Sequence, residues 1–572
     1  MTIMPTAQPK DPTGREGPRS NHAPQPLHLD PITLEIIWGR LQAVIDEAEV
    51  TLMRTAFSPI IREAFDFGVV MLDSNGGSVT QSQRSMPSFV GTLPRTLTAA
   101  LERFPADLWR EGDVLGTNDP WLGTGHLPDM TMVQPVVRTG RTVAYIGCIG
   151  HWADIGGAIW SADSRELFEE GLRIPLSWFR RQGAINEDLL GLILSNVRLP
   201  EQVRGDIYAQ IATLDVGAQR LGELLDDAGI DDPAPIFHEI ETRSEAAMRA
   251  AIADLPNGTW VHEMELDGVD EPLLLRASMT IEGESIVVDW TGSSPQTPWA
   301  INDSFNHAYA MTVYPIKCAL LPDVPNNQGS YVPITMIAPE GTIVNCKFPA
   351  AVASRQIIGH CLSATVFGAL AQILPERVLA DSGSPCPRFV ISGIYPDGRK
   401  WGSSFLLSGG MGAKTDHDGL SAAPWPSNAG TTSVEIVESN TPLLFRSRAL
   451  VPDSGGAGRY RGGLGVETAI ELRADRPALL SMMTDRIDHP PLGSHGGMPG
   501  TPNVLTRSTG GRVPAKGRTQ LQPGEILTMH TPGGGGFGPP DARDPQQLQR
   551  DLEFGYVTAA GRKRSYGVGP LQ

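Results

Sequence analysis

Apolar and polar positions change period along the chain, and the changes mark its elements. Leu34, Ile37, Leu41, Val44, Ala48 and Leu52 recur at steps of three and four, which predicts an amphipathic helix. Asp30 offers an N-cap, Pro31 suits a first helical turn, and Ser58-Pro59 predicts the end. FGVVMLDSNGGSVTQ then reads as a β-hairpin turning at Asn75-Gly76. Residues 93–104 predict another helix, and 111–160 alternate short apolar runs with turns bearing Gly and Pro. A long helical stripe is expected from about 185 to 228, through Ile207, Ile211, Leu214, Ala218 and Leu221, with Ala228-Gly229 as its stop. Strand-like runs separated by turn residues take over across 256–292 in TWVHEMEL, LLLRASMTI and SIVVDW. Residues 308–321 and 357–373 return to helix, and strands with glycine-rich loops dominate from about 430.

The pattern predicts an α+β chain, a large mixed α/β globule of several intertwined subdomains with a β- and loop-rich C-terminal part. A leader over 1–29 precedes an α/β region over 30–255, a mixed β/α region over 256–450 and a glycine-rich β region over 451–572. The sharpest change of period lies near 255, and no internal repeat is found.

Composition narrows the function classes. With 40% apolar and 19% charged residues the chain has the make-up of a soluble globular protein. Its 63 glycines and 48 prolines suit a site built from ordered loops. A net charge of −18 argues against a nucleic-acid partner, which requires a basic face. No run approaches the roughly 18 apolar residues of a membrane span. The leader lacks the apolar centre of a secretory signal, and its Pro, Gln, Ser and charged content reads as disorder. Five scattered cysteines without a C-x-x-C read as reduced, mostly buried thiols of a cytoplasmic protein.

Chemistry concentrates in TNDPWLGTGHLPDM, residues 117–130, and GCIGHWADIGG, residues 147–157. Asp119, His126 and Asp129 fall close together, and the apolar run VAYIGCIG can return the chain so that His151 and Asp154 lie beside them. Imidazole with carboxylate is a ligand set for zinc, manganese or ferrous iron. Each group also has an ordinary reading: Asp119 before a proline is a common turn residue, and Asp154 suits the cap of a turn before Ile155-Gly156-Gly157. On the residues alone both readings stand.

The chain resembles the hydantoinase B/oxoprolinase family over nearly its full length, from Asp30 to Val568. The resemblance is carried by DPITLEIIWGRL, RTAFSP, TNDPWLGTGHLPDM, GHWADIGG, EEGLRIP, INDSFN, LPDVPNNQGSYVPI, APEGT, FPAAVASRQ, PDSGGAGRYRGGLG and TPGGGGFGPPDARDP. It implies a metal held by His126, Asp129 and His151, with Asp66 of EAFDFG as a fourth ligand. Asp119 and Asp154 would orient the imidazoles. Three ligands and an open position are the layout of a catalytic metal, zinc or manganese, which activates water or polarises a carbonyl.

The family also implies ATP-dependent opening of a cyclic amide: a hydantoin, 5-oxoproline or lactam. ATP would be used by a separate hydantoinase A-type protein in an α2β2-type assembly, consistent with the lack of a G-x-x-x-x-G-K-[ST] loop here. PGGGGFG at 532–538 carries no following Lys-Ser or Lys-Thr and reads as a flexible turn or a subunit contact. Arg355 of VASRQ is either a clamp for phosphate or carboxylate or a surface arginine. Asn302 and Asn326-Asn327 read as turn residues, His360 and His417 as surface or packing histidines. PSFVG places Phe89 where many relatives carry histidine, a departure bearing on substrate fit or proton transfer. Two other readings fit the same resemblance: a component of an acetone- or acetophenone-type carboxylase, and a non-catalytic scaffold with an empty site.

Overall fold

A computed structural model describes residues 30–567, apart from Ile159 and Cys386; the leader, Val568 and the cysteine at 386 lie outside the described residues. The first helix, Pro31–Thr55, starts where the sequence predicts: the Asp30 carboxylate accepts the Ile32 and Thr33 amides at 3.1 Å. Its apolar stripe packs on a seven-stranded antiparallel sheet. The strands are β1 (Phe67–Asp73), β2 (Ser78–Gln81), β3 (Val114–Thr117), β4 (Asp129–Arg138), β5 (Arg141–His151), β6 (Ser177–Arg181) and β7 (Ala184–Ile185), in the order β2-β1-β5-β4-β3-β6-β7. Helix Pro200–Asp227 covers the sheet beside the first helix, and Leu93 of helix Thr92–Arg103 packs on Gly147. The middle of the sheet is therefore buried on both sides, and its strands read as continuous apolar runs, not alternating ones. The helical stripe expected over 185–228 is two helices, Glu187–Asn196 and Pro200–Asp227. Pro200 disfavours helical geometry in the residue before it, and Leu199 is non-helical, at φ −118° and ψ 60°.

A second sheet holds β8 (Gly258–Leu266), β9 (Leu273–Glu282), β10 (Ser285–Asp289) and β11 (Ile334–Ile337), in the order β11-β10-β9-β8 with β10 and β11 parallel. Here burial alternates residue by residue along β9, as in a sheet with one covered face. Helices Phe305–Leu320 and Gln356–Leu370 lie against each other and against this sheet, buried almost all round. The C-terminal part is β-rich, as expected. Two four-stranded sheets, β13-β12-β16-β18 and β14-β15-β19-β17, enclose Phe389, Phe405, Ile470, Met482 and Leu527. Their strands run from β12 (Arg388–Ile394) through β13 (Lys400–Leu406), β14 (Leu443–Leu450), β15 (Val466–Leu472), β16 (Ala478–Met483), β17 (Val504–Arg507) and β18 (Lys516–Leu521) to β19 (Ile526–His530).

The run 532–538 corrects the expectation of a flexible turn or subunit contact. It is buried and threads between segments 409–413, 454–465 and 491–500, joined to them backbone to backbone. Gly534 donates to Gly463 and accepts from Gly456; Gly535 accepts from Ala413; Gly536 donates to Met498. A Cβ on Gly534 would fall 2.0 Å from the Met411 carbonyl, and one on Gly462 would fall 1.9 Å from the Gly534 carbonyl. Glycine is required there by close approach. No helix among the described residues is long and apolar enough to cross a membrane.

Candidate metal centre

The β4–β5 hairpin turns at Thr139-Gly140, both with positive φ, and its register sets Asp129 at the start of β4 directly opposite His151 at the end of β5. Gln210 of helix Pro200–Asp227 pins this end of the hairpin by accepting from the Trp152 indole at 2.8 Å and donating to the Met130 carbonyl at 3.0 Å. The loop before β4 delivers His126. Asn118 shapes that loop by donating to the Leu127 and Leu172 carbonyls and accepting the Ile174 amide. Asp129, His126 and His151 are all buried, and one ligand atom from each lies within 4.8 Å of the others.

Their hydrogen bonds settle what those atoms are. His126 Nδ1 donates to the Ala353 carbonyl at 3.2 Å, and His151 Nδ1 donates to the Trp152 carbonyl at 3.1 Å. A carbonyl only accepts, so each Nδ1 carries the proton and each Nε2 is bare. Asp129 Oδ2 accepts from Thr124 Oγ1 and from Arg355 Nη2, both at 2.6 Å. Asp129 Oδ1 sits 2.9 Å from His126 Nε2, yet neither atom has a hydrogen-bond partner among the described residues, and nor does His151 Nε2. Three buried lone-pair donors thus face one point with no hydrogen between them. Left alone, each forgoes roughly 1–3 kcal/mol of solvation. A cation relieves all three together, and two nitrogens with one oxygen suit zinc or manganese, so the residues fit the metal.

The electrostatics agree. Burial, helped by Arg355, holds the His126 imidazole below its usual range despite Asp129. Burial takes His151 down to about 3, so both rings are neutral at pH 7. Burial pushes the Asp129 carboxyl up, but His126, Arg355 and His151 outweigh it and hold the group well below the usual carboxylate range. Trp160 walls the site, its ring 5.0 Å from that of His151 and 6.1 Å from that of His126 between centroids.

Asp66, expected as a fourth ligand, is buried, and its carbonyl accepts the His151 amide at 3.1 Å. Its carboxyl is outside the close trio, and burial together with Asp129 pushes it up to about 7 against the pull of Arg388 and Arg355. Asp119 and Asp154 do not orient the imidazoles; the Ala353 and Trp152 carbonyls do. Asp119 pairs with Arg173 and accepts the Trp121 amide, and Asp154 accepts from Gly156, Leu199 and Arg198, tying its loop to the break before Pro200. Arg355 is a buried brace, not a surface arginine, with Nε donating to Thr124 O at 2.5 Å besides its bond to Asp129. Gly125 makes room for it: at φ +97°, a Cβ there would meet Arg355 Cδ at 2.5 Å. Phe89 packs in the core against Gly68, Asn302 ties the 297–299 turn to Ala351, and His417 is exposed beside Asp416.

His360, read as a surface or packing histidine, is buried, with Nδ1 2.8 Å from Ser384 Oγ. Two other buried polar groups escaped the sequence reading. Glu170 Oε1 accepts the Val352 and Ala353 amides at 2.7 and 2.9 Å, fixing the peptide that orients His126. His307 Nδ1 lies 2.9 and 2.8 Å from the two Asp303 oxygens, and its Nε2 has no partner among the described residues. The one available signal was an Asp and a His four apart at the start of the apolar run after INDSFN.

Known proteins carry the same arrangement of chain. The beta subunit of the caprolactamase from Pseudomonas jessenii is 30% identical, over 94% of this chain and 96% of that one. A 5-oxoprolinase from Dictyostelium discoideum is 27% identical over 90% of this chain, which spans only 41% of that protein. The crystal structure of the ATP-dependent caprolactamase from Pseudomonas jessenii superposes with a TM-score of 0.88 at 29% identity, over 95% of this chain and 97% of that one. The hydantoinase B/oxoprolinase profile matches residues 30–540, and with these likenesses the chain belongs to that family.

Proposed function

We propose that this chain is the metal-dependent hydrolytic component of an ATP-dependent cyclic-amide hydrolase, acting on a hydantoin, 5-oxoproline or lactam activated by a hydantoinase A-type partner. The observation that carries the reading is the convergence of His126 Nε2, His151 Nε2 and Asp129 Oδ1, all buried and without hydrogen-bond partners. These three would hold a zinc or manganese ion, with Asp66 close by. Bound there, the cation supplies Lewis acidity toward water or an amide oxygen.

The chain's own residues do the rest. Arg355 and Thr124 hold Asp129 in place through Oδ2 and leave Oδ1 to face the imidazoles. The backbone carbonyls of Ala353 and Trp152 fix both ring orientations and both tautomers. Trp160 packs beside both rings. An amide resists attack through its C–N resonance, so prior activation by ATP is the natural division of labour. Two likenesses support a partner: the caprolactamase relative is named as one subunit, and in the 5-oxoprolinase more than half the polypeptide lies outside the matched part. We place the pair in an α2β2-type assembly in the cytoplasm, where the four described cysteines, all free, would stay reduced.

Elemental analysis is expected to find about one transition-metal ion per chain, lost in His126→Ala and His151→Ala. Ring opening should require both ATP and the partner. Metal retained in both variants would remove the centre, and incorporation of labelled bicarbonate into acetone or acetophenone would replace hydrolysis with carboxylation.

A further inference from the structure

A buried acid–imidazole pair lies beside the centre and outside the set of ligands. Asp303 and His307 stand one turn apart at the start of helix Phe305–Leu320, and neither side chain is exposed. Both Asp303 oxygens reach Nδ1 at 2.8–2.9 Å, so the carboxylate fixes the ring, while the buried Nε2 is left without a partner. A packing histidine would bond through both nitrogens or face water, since an unmet buried nitrogen costs about 1–3 kcal/mol.

The pair sits against the loop that carries His126, close enough for His126 and Arg355 to act on the ring. Gly125, next to His126, lies so close that a Cβ there would fall 2.9 Å from His307 Cβ as well as on Arg355. On the other side, a Cβ on Gly359 would fall 2.2 Å from His307 Cε1. His307 is therefore bordered by the loop of His126 at its Cβ and by helix Gln356–Leu370 at its ring, with a glycine making room on each side. The charged or titratable groups that act on the pair are His126 from the loop, Arg355 and His360 from the start and second turn of that helix, Arg388 from β12, and the Cys346 thiol, which interacts with Asp303.

Resting on the ring-opening reading above, we infer that His307, oriented by Asp303, is the proton donor to the leaving nitrogen. Carboxylate, imidazole and an open second nitrogen are the parts of a general acid–base unit. Burial pushes the Asp303 carboxyl up and the His307 imidazole down, so the pair is favoured when it carries no net charge, with its donor proton on board. The oxygen of water bonds to the amide carbon, the ring C–N bond breaks, and its electron pair stays on nitrogen. The Nε2 proton moves to that nitrogen. A proton of the same water then reloads Nε2, and Arg355 offsets the negative charge that the pair carries in between.

The test uses the complete complex with its ATP-using partner, and hydantoin, 5-oxoproline and ε-caprolactam as probes. For His307→Gln and Asp303→Asn, kcat should fall by about 10²–10⁴-fold, with KM within a few-fold and with metal content and melting temperature as in the parent. The fall in kcat at alkaline pH, where the pair gives up its proton, should vanish in both. Retained kcat in either variant overturns the inference, as does metal lost in step with activity. Should His307→Gln not fold, the isosteric Asp303→Asn decides by the same readouts. A parent complex inactive on all three probes would instead overturn the ring-opening reading, and the assignment of His307 with it.

Discussion

Glu170 shows how one side chain governs the centre without touching it. Its Oε1 holds the 352–353 amides, and the Ala353 carbonyl they carry orients both His126 and the Trp160 indole. Burial pushes this carboxyl up to about 8 from the usual 4.5, and its Oε2 has no partner among the described residues. The folded protein therefore holds a proton there that the unfolded chain has released. The contribution to stability is complete below about pH 4.5 and is lost as pH rises through about 8. Glu170→Gln keeps the accepting oxygen and removes the ionisation. It should match the parent at pH 4 and exceed it by at least about 1 kcal/mol at pH 9. Parallel denaturation curves across that range would refute the assignment. The converging trio was legible through the family resemblance, which placed it on the H-x-x-D and H-x-A-D blocks; the residues alone left the metal reading open. Asp119 and Asp154 make the turn bonds read for them, to Trp121 and Gly156, while the partners that hold their carboxylates, Arg173 and Arg198, lie 54 and 44 residues away. No periodicity reports such a pairing, and none reports that His307 is buried.

At the scale of elements, the centre is a matter of register. Cross-strand pairing of Asp129 with His151 follows from a tight positive-φ turn and from burial of both strands on both faces. A slip of one residue would carry one ligand to the far side of the sheet. The loop before β4 is positioned differently, by Arg355 passing over Gly125. Gly125→Ala adds a side chain at φ +97° and drives it into Arg355 Cδ. The expected result is a loss of more than about 2 kcal/mol of stability together with reduced metal content. Unchanged metal content would show that Arg355 is dispensable to the ligand geometry. Helices and strands of the first half were readable because each presents a steady period. The stripe over 185–228 misled because its quoted residues, Ile207 to Leu221, all lie in the second helix, while the first is a separate helix ending before Pro200.

For the whole molecule, residues from distant parts of the chain meet at the centre. Arg355 and Ala353 come from the second half to complete a site whose ligands all lie in the first. This is why the fold class was readable but the assembly of the site was not: each contact spans about two hundred residues. The glycine-threaded region ties the C-terminal sheets together, and there a single methyl is intolerable. Gly534→Ala would place a carbon 2.0 Å from the Met411 oxygen, and should cost more than about 3 kcal/mol in urea unfolding. A change below about 1 kcal/mol would mean that the segments can separate.

Those glycine segments have a practical consequence. To the eye they are linker: no strand, no helix, small residues, the stretch where one would cut a chain or splice in a tag. Yet their amides are bonded across to other segments, so they should be among the slowest to exchange with deuterium. A protease should leave them whole, and an insertion there should destroy the very part of the protein that looks most forgiving.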